Sequence, residues 1–104
     1  MADRDLTVAK IIIQQMGGFG RLKAMVGAHD FVGDENSVQF GFKGCRKANK
    51  CRVILDYGSD TYNFELWHLN KRTWDFSKVY EIEGIYFDML KPIFEDETGL
   101  YLSL

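Results

Sequence analysis

The stretch Cys51-Arg52-Val53-Ile54-Leu55-Asp56-Tyr57-Gly58-Ser59-Asp60-Thr61-Tyr62-Asn63-Phe64-Glu65-Leu66-Trp67 decides the fold class. Cys51, Val53, Leu55 and Tyr57 alternate with Arg52, Ile54 and Asp56; Tyr62, Phe64 and Leu66 then alternate with Asn63, Glu65 and Trp67. A period of two marks a strand with one buried face, and Gly58-Ser59-Asp60 supplies turn chemistry between the runs, so the stretch reads as a β-hairpin. The same period extends outward in both directions. Upstream, Val38, Phe40 and Phe42 alternate with Gln39, Gly41 and Lys43; downstream, Asn70-Lys71 marks a turn into Trp74, Phe76, Tyr80 and Ile82. Strands joined by such short connections run antiparallel, because parallel neighbours need crossovers of about a dozen residues or more. The expectation is a four-stranded antiparallel meander.

Helical spacing brackets this sheet. From Asp5 to Met16 the apolar residues Val8, Ile12 and Met16 recur at helical intervals, Ile11 widens the stripe, and Asp5 or Thr7 is available as N-cap. Gly17-Gly18 ends or bends that helix. A second short helix is expected over Phe19 to Val26, stopped by Gly27. At the far end, Gly84 to Thr98 reads as a helix with Met89, Leu90, Ile93 and Phe94 on its apolar stripe, kinked or broken at Pro92 and capped by Gly99. The tail from Leu100 is too apolar for solvent and is expected to pack on the sheet, to form an edge strand or to make a dimer contact. With 104 residues, a single proline and no repeat or low-complexity segment, residues 1–104 read as one domain. The predicted class is α+β, with an N-terminal helix or helix pair and a C-terminal helix packed on one face of the sheet.

Net charge is −2, no apolar run approaches the ~18 residues of a membrane span, and the first residues lack a signal-peptide core. A cytoplasmic protein without a membrane partner is expected. Cys45 and Cys51 are too few for a disulfide scaffold and are expected to be free thiols there. With His29 and His68 they supply the ingredients of a zinc site, but five residues separate the cysteines where structural zinc favours about two to four. No metal or other cofactor is expected.

The charge distribution is more informative than its sum. Lys43, Arg46, Lys47, Lys50 and Arg52 fall in one stretch without an acid, and Lys71 and Arg72 mark the turn two connections later. The first and third turns of a meander share an end, so seven of the thirteen cations are candidates for one cluster, flanked by Trp67 and Trp74. Basic edges with nearby aromatics grip phosphates and stack unpaired bases; lysines at hairpin tips also serve simply to keep edges from aggregating. The opposite pole holds Glu81, Glu83, Asp88, Glu95, Asp96 and Glu97 against Lys91 alone, either a solvated face or a mimic of a phosphate backbone. Enzyme signals are thin. Gly17-Gly18-Phe19-Gly20 lacks the preceding strand and the lysine-serine of a P-loop, and neither His29-Asp30 nor Glu81 with Glu83 marks a nucleophile or an acid–base pair. The expectation is a non-enzymatic protein.

Five segments together resemble a family of small proteins of unknown function from bacteriophages, prophages and other mobile elements. They are Gln14 to Phe19, Met25 to Phe31, Asp60 to Tyr62, Gly84 to Leu90, and Thr98 to Tyr101. The resemblance spans nearly the whole chain and brings no catalytic motif. It implies an accessory protein that acts stoichiometrically on nucleic acid or on a host protein, including inhibition of host-defence systems. The residues and the resemblance together predict a binding protein that uses Lys43, Arg46, Lys47, Lys50, Arg52, Lys71 and Arg72, with Trp67 and Trp74 as stacking groups. The alternative is a protein–protein inhibitor or homodimeric assembly factor that uses the acidic helix or the aromatic sheet face.

Overall fold

In the computed structural model, which describes residues 6–102, helices α1 (Thr7–Gln15) and α2 (Phe19–Val26) precede five strands. The strands are β1 (His29–Gly33), β2 (Ser37–Gly41), β3 (Lys50–Asp56), β4 (Thr61–Leu69) and β5 (Phe76–Ile85). A 3-10 turn (Phe87–Met89) and helix α3 (Leu90–Thr98) close the fold. The sheet order is β1-β2-β3-β4-β5 and every neighbouring pair is antiparallel. The class is the expected α+β meander, but the sheet has five strands rather than four. The additional strand is β1. Its alternation is interrupted at Asp30, whose φ of 54° puts the chain in the left-handed region and shifts the register between His29 and Val32. Five residues with one irregularity leave too little period to read in advance.

The hydrophobic core lies on one face. Phe40, Phe42, Phe64, Phe94, Ile12, Met16, Leu22 and Leu66 are all fully buried. Helix α1 packs against β2, and Phe94 of α3 brings its ring to 5.1 Å from Phe42 and 6.4 Å from Phe40. Gly27 and Gly99 end α2 and α3 in left-handed caps, as glycine allows at little cost. Helix α1 starts at Thr7 with Leu6 as N-cap and no side-chain cap; Asp5, the other expected cap, lies outside the described residues.

The C-terminal helix is shorter than its sequence pattern. Gly84 and Ile85 belong to β5, where Ile85 pairs with Tyr62 and is buried, so helix formation waits until Leu90. Pro92 is then the third helical residue, where an N–H has no intrahelical acceptor to lose, and it neither kinks nor breaks α3. Leu102 is fully buried and its N–H donates to Glu95 Oε2 at 2.7 Å, so the tail packs as far as it is described. Among the described residues no helix is long and apolar enough to cross a membrane.

The other sheet face is polar, with Glu65 buried among its neighbours at the centre. Glu65 on the central part of β4 accepts the Trp67 indole N–H at 2.9 Å and lies 4.0 Å from Arg52 and 3.7 Å from Lys78. Lys78 also donates to Glu81 at 2.9 Å, and that bond holds the Glu81 carboxyl below its ordinary range. Opposite charges across adjacent strands are the pairing an exposed sheet face favours.

Candidate functional site

Up-down strands place alternate connections at the same end, so the β2–β3 and β4–β5 loops are neighbours. Asn49 joins them. Its side-chain amide donates to Leu69 O at 2.9 Å and its Oδ1 accepts from Leu69 N–H at 2.8 Å, which prolongs the β3–β4 ladder by one rung. The Asn49 backbone N–H also reaches Trp67 O at 2.9 Å. Losing a half-buried two-way contact of this kind costs about 1–3 kcal/mol. Asn49→Ala is therefore expected to lower the Tm by roughly 10 °C, at about 4–8 °C per kcal/mol for a domain near this size. A melt unchanged within a degree would show that the rung contributes nothing.

Between these loops and the start of β1 lies a cavity of about 530 Å³. Lys43, Lys50 and Lys71 border it, with His29, Asp30, Phe42, Cys45, Asn49, Leu69 and Trp74. Lys43 is fixed by its N–H bond to Val26 O at 2.8 Å, and its stem packs over Gly27 at the C-terminal end of α2, where the helix dipole favours a cation. Lys50 opens β3 beside Gly41 and Trp67. Asn70 shapes the β4–β5 loop: its Oδ1 accepts from Arg72 N–H at 2.9 Å, and its carbonyl accepts from Trp74 N–H at 2.6 Å. The loop delivers Trp74 at φ 61° with the residue 71% exposed. His29 donates its Nδ1 proton to Gly27 O at 2.8 Å, so in the neutral ring Nε2 is the acceptor nitrogen. The imidazole lies over Gly41, where a Cβ would come within 2.6 Å of Nε2. Asp30 Oδ2 stands 3.8 Å from the same nitrogen.

Among the described residues, two of the three non-glycine residues with positive φ, Asp30 and Trp74, border this cavity. Strained backbone of this kind persists where the surrounding structure enforces it, and it gathers at binding sites. The electrostatics point the same way. Among the described residues Lys43, Lys50 and Lys71 have no carboxylate partner, whereas Arg52 and Lys78 do.

The nine residues expected to form one interface separate into groups. Lys43, Lys50, Lys71 and Trp74 meet at the cavity. Arg46 and Arg72 are exposed on the two loops at the same end without bordering it. Lys47 faces a shallow pit of about 50 Å³ beside Tyr80 and Glu97, and Arg52 lies on the polar sheet face near Glu65. Trp67 is also on that face, stacked on Phe76 with ring centroids 4.6 Å apart and with the Lys78 ammonium 5.5 Å from its ring. Phe76 thus already takes one face of the indole. The cavity adds His29, Asp30 and Asn49; the β1 register, with His29 opposite Gly41, brings the first two, and the bonds to Leu69 bring Asn49, which lies within the basic stretch itself.

The cysteines divide as well. Both are free thiols; Cys51 is fully buried, and burial reinforced by the Glu65 charge pushes its thiol far up, while half-buried Cys45 borders the cavity. Among the described residues no three His, Cys, Asp or Glu side chains gather closely enough to hold a metal ion. No family model, curated protein or solved structure matches this chain.

Proposed function

We propose that this chain is a non-catalytic binding protein that grips single-stranded nucleic acid at the loop end of its sheet. One observation carries the reading: three lysines without carboxylate partners among the described residues surround a cavity beside which Trp74 is held exposed on left-handed backbone. Ammonium groups neutralise backbone phosphates, and an indole face stacks an unpaired base of any identity. The expectation that the protein is an accessory factor of a phage or mobile element belongs to the same proposal and rests on the resemblance.

The indole is costly where it stands. A bulky residue in this region of φ/ψ space costs about 1–3 kcal/mol, and at 71% exposure its ring recovers little by burial. Trp74→Gly relieves the strain but adds unfolded-chain entropy of about 0.4–1 kcal/mol, so a net stabilisation of up to ~1 kcal/mol is expected. The same change removes stacking worth about 1–3 kcal/mol per base, a loss of roughly 5- to 150-fold in affinity. A variant that melts higher and binds worse is the signature of a residue kept for its ligand. Unchanged binding would remove Trp74 from the site.

The direct test is fluorescence anisotropy of a labelled single-stranded oligonucleotide across a salt series. Three phosphate contacts predict a log–log slope near −2, at about −0.7 per contact on single strands. Absence of binding even at low salt would overturn the proposal.

The competing reading, a protein partner, has separate support in an apolar ridge. Ile11 of α1 and Phe87 and Met89 of the adjoining 3-10 turn are all exposed. The acidic segment supports it less, because Glu81 and Glu83 lie in β5 and Glu95 is engaged by the tail. Sedimentation that shows a dimer weakened by Ile11→Lys would favour this reading.

A further inference from the structure

We infer that the cavity is built for a phosphate monoester of a nucleotide, at the end of a strand or free, rather than for the internal diesters of a passing chain. The inference rests on the nucleic-acid reading of the same cavity and deepens it. Charge favours a monoester. Three lysine ammoniums against the single Asp30 carboxylate leave two positive charges uncompensated at the cavity. An internal phosphodiester carries one negative charge, whereas a monoester carries about −1.5 to −2 at neutral pH with three strong acceptor oxygens. The match is to the monoester.

The placement of the lysines agrees. Lys43 comes from the β2–β3 loop, Lys50 from the start of β3 and Lys71 from the β4–β5 loop, so the cations surround one volume instead of following a track. Single-strand grooves spread their contacts over about 4–16 nucleotides per binding unit. At about 530 Å³ the cavity instead falls within the ~300–1,000 Å³ of sites that enclose one small ligand. Lysine, a compact charge with three donors, suits a group with several equivalent oxygens.

The rest of the lining suits the remainder of a nucleotide. Asp30 and the acceptor Nε2 of His29 present an acceptor edge, suited to a sugar hydroxyl or a base amino group. Trp74 offers a face for the base. Phosphate, hydroxyl and base each have a counterpart in one cavity, as a nucleotide requires.

Cys45 gives a readout independent of affinity, since it borders the cavity while Cys51 is fully buried and its thiol is pushed far up. The experiment measures iodoacetamide alkylation of Cys45, alongside anisotropy, with a short oligothymidylate in four forms. These are phosphorylated at the 5′ end, phosphorylated at the 3′ end, without terminal phosphate, and circular; free thymidine monophosphate is the competitor. The expected result is at least tenfold tighter binding of one phosphorylated form and slower Cys45 alkylation, both lost in Lys71→Ala, whose site is an exposed loop. Competition by thymidine monophosphate at similar concentration assigns the ligand as a free nucleotide; tighter binding of the oligonucleotide assigns a strand end. Binding of the circular and unphosphorylated forms as tight as that of both phosphorylated forms would overturn the monoester inference and leave the strand-gripping function standing. No binding of any form would overturn both.

Discussion

Replacing Lys50 and Lys71 together by glutamate is expected to abolish measurable oligonucleotide binding while leaving the fold intact. Each lysine offers a charge-assisted hydrogen bond to phosphate worth about 1.5–3 kcal/mol, so losing two removes ~3–6 kcal/mol, or roughly two to four orders of magnitude in affinity. The reversed charges add repulsion. Lys71 is exposed on its loop and neither lysine has a carboxylate partner among the described residues, so no native pairing is broken. Arg46→Glu/Arg72→Glu is the matched control, because those arginines share the end of the sheet without bordering the cavity. It should weaken binding only several-fold and flatten the salt dependence little. Equal losses in the two variants, with unchanged circular dichroism, would mean that the whole loop end attracts phosphates diffusely and that the cavity has no special role.

Phe94→Ala is expected to be the most damaging single change to stability. The ring is fully buried and meets Phe40 and Phe42, and it joins α3 to the sheet. Truncating a buried phenylalanine costs about 3–5 kcal/mol through lost transfer energy and the cavity left behind. That is a large share of the ~5–15 kcal/mol that stabilises an ordinary domain. A fall in Tm on the order of 20 °C follows. The damage should reach the site, because Phe42 borders the basic cavity from the core side. Phe94→Leu, which keeps most of the volume, should recover more than half of the loss. A Phe94→Ala protein that melts within a few degrees of the parent would show that α3 is not part of the cooperative core.

The sheet was legible because residues 51–67 repeat with a period of two around a turn, and the pairing of Val53 with Phe64 realises that hairpin. The meeting of the two basic loops followed from parity alone. It survives the extra strand, since adding β1 before β2 does not change which later connections share an end. Beyond parity, the sequence lacked cross-strand register. Lys50 and Arg52 are two apart and share a face, but β4 sets Trp67 opposite Lys50 and Glu65 opposite Arg52. Only Arg52 thus finds a carboxylate across the strand, which leaves Lys50 to the cavity. The period of two sets Trp67 on the polar side of its strand and Trp74 on the apolar side of the next; the pairing of β4 with β5 instead stacks the first on Phe76 and leaves the second exposed. His29 was hidden by the bulge at Asp30 that also hid its strand.

The measurement closest to the central claim is an amide and indole NMR titration of the labelled protein with a single-stranded oligonucleotide at low salt. The account predicts the largest shifts at the Trp74 indole and at the amides of His29, Lys43, Asn49, Lys50 and Lys71, with the Trp67 indole nearly still. Shifts centred instead on Trp67, Arg52 and Lys78 of the polar sheet face, or on α3, would contradict it.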